Sequence, residues 1–322
     1  MRRKKNIFLS VCAIATAGAM LSACSEGDPT PGDDDGEAGD GTIETVGLMV
    51  QDLSNPFFGA MEDALEEAAA GQGIEVNTQD GQQDLNEQNN QIDTFIQQDV
   101  DAILINAVDS EGIGPAVERA TDAGIIVVAV DVAAKGAQAT VTLDNHEAGE
   151  VSCKYLFEEI GGSGDILIVD GTPITSVQDR MEGCEKVMED YPDINVVGQQ
   201  NGDNSRQTAL DLASDMLTAN PDVVGIFGIN DPTALGATLA AEQEGLSDLV
   251  ITGVDGSPEA VEELEDSSSM FAGTAKQDPG TQVVQALEMA QKLAAGETLD
   301  EDYVEVPTEM LTRENLDEYE GW

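Results

Sequence analysis

Basic residues, histidine and aromatic rings are what this chain has least of. Only 13 of its 322 residues are Lys or Arg against 64 Asp or Glu, a formal net charge of −51. Nucleic acid, whose binding rests on neutralising phosphates, is therefore not an expected partner. A single histidine, His146, and only four cysteines leave no arrangement of nucleophile and base from which a hydrolase triad is built. No GxxxxGK or GxGxxG follows a strand, so phosphate-cradling and dinucleotide motifs are missing, and no run has metal-ligand spacing. Neither cofactor nor metal is expected. His146 follows Asp144-Asn145 just ahead of a helix and reads as a capping or surface residue rather than a catalytic one.

Long apolar runs are also scarce, and the one near the start is short. Residues 1–24 join Arg2, Arg3, Lys4 and Lys5 to an apolar segment of about 18 residues and then to Leu21-Ser22-Ala23-Cys24. This is the pattern of a removed lipoprotein export signal, residues 1–23, with Cys24 carrying the lipid. Residues 24–42 follow as an acidic linker. Its Ser25–Thr42 stretch has seven acids, two prolines and no base. Such a segment buries no core and is expected to be disordered. It lacks the Glu that closes a twelve-residue calcium loop. The expected location is the extracellular face of the cytoplasmic membrane, lipid-anchored in the cell envelope.

Only nine bases remain after the signal, against all 64 acids, a balance of 9 − 64 = −55. Self-repulsion of that size is relieved by screening, whose length falls to about 3 Å in molar salt. Adaptation to saline surroundings is expected, and with it a melting temperature that rises from dilute buffer to molar salt. A flat or falling curve in a salt series refutes that expectation.

From about Thr42, some 280 residues exceed what one compact core holds, so two lobes are expected. Apolar β-rich runs alternate with helical patterns: 45–51, then 58–70; 74–79, then 85–98; 102–108, then 113–123; and 125–131. The rhythm restarts after Asp144 with helices at 148–160, 177–188, 208–217 and 234–244 between strands at 165–171, 194–199, 223–230 and 249–256. A strand at 271–278, a helix at 282–295 and YVEVP from 303 close the pattern, while GGSGD at 161–165 reads as a helix stop and turn. This is α/β: two doubly wound parallel-sheet lobes, in which ligands sit at the carboxyl ends of the strands. Polar singletons gather at those ends: Asp52, Asn106, Asp131, Asp170, Asn230, Asp255 and Gln277.

Ser54-Asn55-Pro56-Phe57-Phe58, INAVDS (105–110), Arg180-Met-Glu-Gly183, IND (229–231), GVDGSP (253–258) and Gln277 occur in that order. Over about Thr45 to Leu299 the chain resembles a ribose-type periplasmic sugar-binding protein, and each motif gains specificity from the others. The resemblance implies the type I solute-binding fold, with a three-segment hinge near Asp144, Asp278 and Pro307. It implies an N-terminal lobe of 43–144 plus 278–306 and a C-terminal lobe of 145–277 plus 307–322. It further implies a monomer that closes on one small molecule and docks on an ABC permease in the membrane, and no enzyme activity. A sensor that presents its bound sugar to a membrane receptor is the alternative role, and an extracellular carbohydrate-active enzyme a remote one.

Polyol hydroxyls both donate and accept, so they call for Asn, Asp, Gln and Arg, while ring faces cover the ligand's C–H surface. The expected ligand residues are Asn55, Phe57, Phe58, Asn106, Asp131, Arg180, Asn204, Asn230, Val254, Asp255 and Gln277. Arg206 reads more readily as an interlobe or surface ion-pair partner. Ribose-type proteins usually carry Arg where this chain has Val132 and aromatics where it has Asn204 and Val254. That departure leaves room for a pentitol, a tetritol or another pentose in place of ribose.

Cys153 and Cys184, both on predicted second-lobe helices, remain after Cys12 and Cys24 are assigned to the signal and the lipid. Outside the membrane such a pair invites a disulfide, the alternative being two separate buried thiols. Trp322, the only tryptophan, is expected to pack or fray rather than bind.

Overall fold

The computed structural model describes residues 41–319, 321 and 322. The signal segment, Cys24 and all but the last two residues of the acidic linker lie outside the described residues. No helix among the described residues is long and apolar enough to cross a membrane.

The chain alternates as the patterning requires. In the first half, β1 (Thr45–Val50), α1 (Pro56–Ala70), β2 (Glu75–Asp80), α2 (Leu85–Gln97), β3 (Ala102–Ile105), α3 (Gly114–Asp122), β4 (Ile126–Val130) and β5 (Ala139–Leu143) succeed one another. The second half runs α4 (Asn145–Glu159), β6 (Ser163–Asp170), α5 (Thr175–Met188), β7 (Asp193–Asn201), α6 (Arg206–Ala219), β8 (Gly225–Gly228), α7 (Asp231–Gln243), β9 (Val250–Asp255), α8 (Pro258–Glu265) and β10 (Phe271–Lys276). Then come α9 (Pro279–Ala294), β11 (Tyr303–Val306), β12 (Met310–Thr312) and a 3-10 turn at Leu316–Glu318.

Two six-stranded sheets result, ordered β11-β5-β4-β3-β1-β2 and β12-β10-β9-β8-β6-β7. Every pairing is parallel except that of β12 with β10. The chain passes between the sheets after β5, after β10 and after β11. Both faces of the first sheet are covered at its centre, so β3 (AILI) and β4 (IVVAV) are apolar throughout, while the edge strand β2 (EVNTQD) is polar, and the two parities of a central strand feed different cores. Ala102 and Leu104 of β3 enter the cluster with Met61, Leu65 and Leu287, whereas Ile103 and Ile105 join Ile92, Phe95 and Val117.

In the second lobe α4 and α5 pack without side chains between them at one point. A Cβ on Gly149 would stand 1.9 Å from the Arg180 carbonyl oxygen, and one on Gly183 would stand 2.1 Å from that of His146. Cys153 and Cys184 are joined by a disulfide between the same two helices, with their Cα atoms 5.3 Å apart. The backbone of Arg180 is thus fixed to the start of α4.

Three elements are not among those predicted: β5 (ATVTL), which lacks a long apolar run, β12, which has three residues, and α8, an eight-residue helix that starts at the last residue of the GVDGSP motif. The reading of GGSGD as a turn holds for Gly161 and Gly162, which adopt positive φ, but Ser163–Asp165 already belong to β6.

Candidate functional site

Strand ends turn directly into helix starts around one cavity of about 570 Å³, walled by residues from both sheets. Asn55, Phe57, Phe58, Asp131, Arg180, Asn204, Asn230, Asp255 and Gln277 all line it. Several are N-caps as well as wall residues. The Asn55 side-chain Oδ1 accepts from the Phe57 N–H at 3.0 Å, and that of Asn230 accepts from the Thr233 N–H at 3.0 Å within a capping box. Each cap occupies the side-chain oxygen and leaves the amide nitrogen's donors unused by the helix. Capping and ligand contact are therefore compatible at these positions.

Two expected residues stand elsewhere. Asn106 is fully buried behind Asp131, donating from Nδ2 to the Asp131 carboxylate at 2.7 Å and to the Val130 carbonyl at 3.1 Å. It holds a wall residue in place without lining the cavity itself. Val254 is one residue short of the strand end and points into the apolar cluster that contains Ile168, Phe227 and Ala275. Val132 belongs to that same cluster. An Arg at 132 would bury its charge there, so the departures at 132 and 254 are matched: both serve one apolar contact region.

Arg180 is the buried cation of the site, 4% exposed. Its Nε donates to the Asn145 side-chain oxygen at 2.8 Å and its Nη1 to the Ile229 carbonyl at 3.1 Å, with the Asp255 carboxylate 3.7 Å from Nη1. Asn145 in turn donates to the Thr142 hydroxyl at 3.0 Å, and that hydroxyl donates to the Asp131 carbonyl at 2.7 Å. The first crossing between the sheets is thus wired to both Arg180 and Asp131.

Three buried carboxylates face this one guanidinium. Burial pushes Asp131 above the ordinary carboxylate range, while Arg180 and the Asn106 hydrogen bond pull it back. Burial and the neighbouring Asp231 together raise Asp255 well above its usual value. Asp231, missed as a site residue, is raised to about 6 by burial, against the pull of Thr274, Ser257 and Arg180. It accepts from the Thr274 hydroxyl at 2.7 Å and the Ser257 N–H at 2.7 Å. The Asp255 carboxylate accepts from Gln277 Nε2 at 2.7 Å, and Gln277 accepts from Gln282 Nε2 at 3.0 Å.

The backbone under both strand-end acids is unusual. Asp131 has φ +64° and Asp255 has φ +143°, regions that L-residues rarely occupy and that cost on the order of 1–3 kcal/mol each. Strain held at two carboxylates that wall one cavity marks the place where geometry matters more than stability.

The cavity is also lined by Arg206 and by Gln83, Asp203, Ser257 and Glu259, the last four of which did not stand out by residue type. For Arg206 the sequence favoured an interlobe or surface ion pair; it is exposed at the first position of α6 and lines the cavity. Only the position of each residue just past a strand end could have signalled it. His146 is exposed in the first turn of α4, where Asp144 is the cap. The fold gathers it with Asp179 and Glu182, at 3.6 and 3.9 Å, although no metal-ligand spacing exists in the sequence. None of the three lines the cavity.

Comparison with known proteins follows the same outline. A family model described as a periplasmic binding protein domain matches residues 46–298. The ribose import binding protein of Bacillus subtilis is 31% identical over 263 residues, 81% of this chain and 84% of that one. The xylitol-binding protein of Mycolicibacterium smegmatis is 29% identical over 319 residues, 97% of this chain and 88% of that one. A solved ABC transporter solute binding protein from Mycobacterium smegmatis, with bound glycerol, superposes with a TM-score of 0.82 at 30% identity, over 87% of this chain and 98% of that one. With two parallel-sheet lobes and a cavity built from the strand ends of both, the chain belongs to the periplasmic binding protein domain family.

Proposed function

We propose that this protein is the membrane-tethered solute-binding component of an ABC importer, capturing a small neutral sugar or sugar alcohol by hinge closure on the outer side of the membrane. The observation that carries the reading is the cavity between the lobes, which joins the Phe57 and Phe58 rings to Asn55, Asp131, Arg180, Asn230, Asp255 and Gln277. Rings for C–H surface and groups that donate and accept are the two things a polyol requires. Three buried carboxylates against one buried guanidinium disfavour anionic solutes such as sugar phosphates and carboxylic acids. Relatives named for ribose and xylitol, and a neighbour holding glycerol, fall within the same ligand class.

Closure makes hydroxyls bridge Asn55 and Asp131 on one side with Arg180, Asn230 and Asp255 on the other, and the closed surface is what a permease recognises. The lipobox at Leu21–Cys24 supports anchoring by Cys24.

The test is a thermal-shift panel of pentoses, hexoses, pentitols, tetritols, nucleosides and amino acids in high salt. A ligand at about 100 times its dissociation constant adds about 2.7 kcal/mol, several degrees in melting temperature. Stabilisation by one sugar or polyol, lost in Asp131→Ala, is the expected result. Stabilisation by none of them, or only by an anion, removes the reading.

A further inference from the structure

The chain's only tryptophan packs between the two halves of the cavity wall. Its indole stands edge-on to Phe57, with centroids 5.7 Å apart and planes at 89°, and Phe57 stands in the same relation to Phe58 at 5.3 Å and 80°. Its Nε1 donates to the backbone carbonyl of Asp255 at 3.1 Å. Phe57 is the second residue of α1 and packs in the first-lobe core, whereas Asp255 ends β9 of the second sheet. Trp322 therefore touches one ligand-facing residue from each lobe.

The segment that carries it begins on the second lobe. Leu316 and Tyr319 pack against the second-lobe core, and the Tyr319 hydroxyl donates to the Gly256 carbonyl at 2.7 Å. Three residues further on, Trp322 packs against the first-lobe core. The strap thus adds a non-covalent link between the lobes to the three crossings of the backbone and to the hydrogen bonds that Thr175 makes with Ser110 and Ala133 at 3.3 and 3.1 Å.

At Asp255 the strap meets the strained backbone. The carbonyl of this residue, at φ +143°, accepts two hydrogen bonds: from the Gln277 N–H at 2.9 Å and from the Trp322 indole. A conformation of that kind persists only where its surroundings over-determine it. The indole is therefore one of the contacts that over-determine this conformation, next to the carboxylate that accepts from Gln277 Nε2 at 2.7 Å and stands 3.7 Å from Arg180 Nη1. Removing the indole leaves the Phe57 ring without its outer packing.

We propose that Trp322 is a positioning residue for the ligand site, holding Phe57 of one lobe and Asp255 of the other in binding geometry and so favouring the closed form. The proposal rests on this cavity being the solute site. Opening the lobes must separate the indole from Phe57 or from Asp255, so the strap resists opening whether or not ligand is present.

The experiment compares the wild-type protein with Trp322→Ala and Trp322→Phe in high salt. Small-angle scattering gives the ligand-free radius of gyration, and stopped-flow mixing gives the dissociation rate of xylitol or D-ribose. Trp322→Ala is expected to raise the ligand-free radius and to weaken the bound probe about tenfold or more, chiefly through faster dissociation. Trp322→Phe keeps a ring beside Phe57 without the N–H to Asp255, and should fall between. In the wild type, probe binding should shift the single-tryptophan emission to the blue. An unchanged radius and dissociation rate in Trp322→Ala overturn the proposal even if its melting temperature falls, because a purely structural contact lowers stability alone. Should neither xylitol nor D-ribose bind the wild type, the sugar or polyol that stabilises it in the thermal-shift panel takes their place, and the scattering comparison decides the strap in either case.

Discussion

Replacing Arg180 with methionine is expected to abolish sugar or polyol binding, lowering affinity by at least about a thousandfold, which corresponds to about 4 kcal/mol. Methionine nearly conserves the apolar stem, so the α4–α5 contact through Gly149 and Gly183 and the Cys153–Cys184 bond are undisturbed. What is lost is chemistry. Asn145 and the Ile229 carbonyl each lose a charged donor, and a buried acceptor left without a partner costs about 1–3 kcal/mol. Asp131, Asp231 and Asp255 lose the cation that holds each of them down, so burial drives them further toward the protonated form. A site re-protonated in that way offers different donors and acceptors from those a ligand's hydroxyls were matched to. Arg180→Lys should recover only part of the affinity, because a point charge on a flexible stem cannot reach Asn145, Ile229 and Asp255 together. Calorimetry with the panel's best ligand checks both variants. Binding by Arg180→Met within tenfold of the wild type would mean that the cavity is not where the solute sits.

The legible part of this site was its placement, and the reason is visible in the motifs. SNPFF, IND and GVDGSP each put a polar residue at a strand end and a helix start directly after it. Asn55, Asn230 and Ser257, whose side chains cap the helices that follow, also wall the cavity, so the signal for a helix start and the position of the site coincide. RMEG was legible as a motif but not as a device. Its glycine brings α5 against α4, and that contact fixes where Arg180 stands.

What stayed hidden depends on contacts between residues far apart in sequence. Asn106 and Val254 lie at or near strand ends like the wall residues, and only strand parity and depth separate lining the cavity from backing it. Asn145 and Asp231 could be read as cap neighbours, yet one anchors Arg180 from 35 positions away and the other couples to Asp255 across two parallel strands. Trp322 could be expected to pack, but nothing local said against what. The α/β class was carried by the alternation of apolar runs with helical patterns, and β5 was missed because its alternating ATVTL has no long apolar run.

Asp231 supplies the other large effect, and its sign follows from the direction of its shift. With a carboxyl raised to about 6 in the folded protein against an ordinary 3.8, the folded state binds this proton more tightly than the unfolded chain. Between about pH 4 and 6 the native protein holds more protons, so this group's contribution to stability falls as pH rises through that window. Above it the cost is complete, on the order of 3 kcal/mol at 1.36 kcal/mol per pKa unit. Asp231→Asn removes the ionisation and keeps the shape. Its amide oxygen accepts from the Ser257 N–H and its nitrogen donates to the Thr274 hydroxyl, in place of the two hydrogen bonds the carboxylate now accepts. Because the Asp231 charge is one of the causes that raise Asp255, the variant should also let Asp255 ionise more readily. The surface acids titrate alike in both proteins, so the informative quantity is the difference between them. Denaturant midpoints in high salt at pH 4, 6 and 7.5 should show the two proteins nearly equal at the lowest pH, with Asp231→Asn more stable by about 2–3 kcal/mol at the highest. A gap that stays constant across the series would mean that Asp231 is ionised throughout, and that the buried carboxylates share their proton elsewhere, on Asp255 or Asp131.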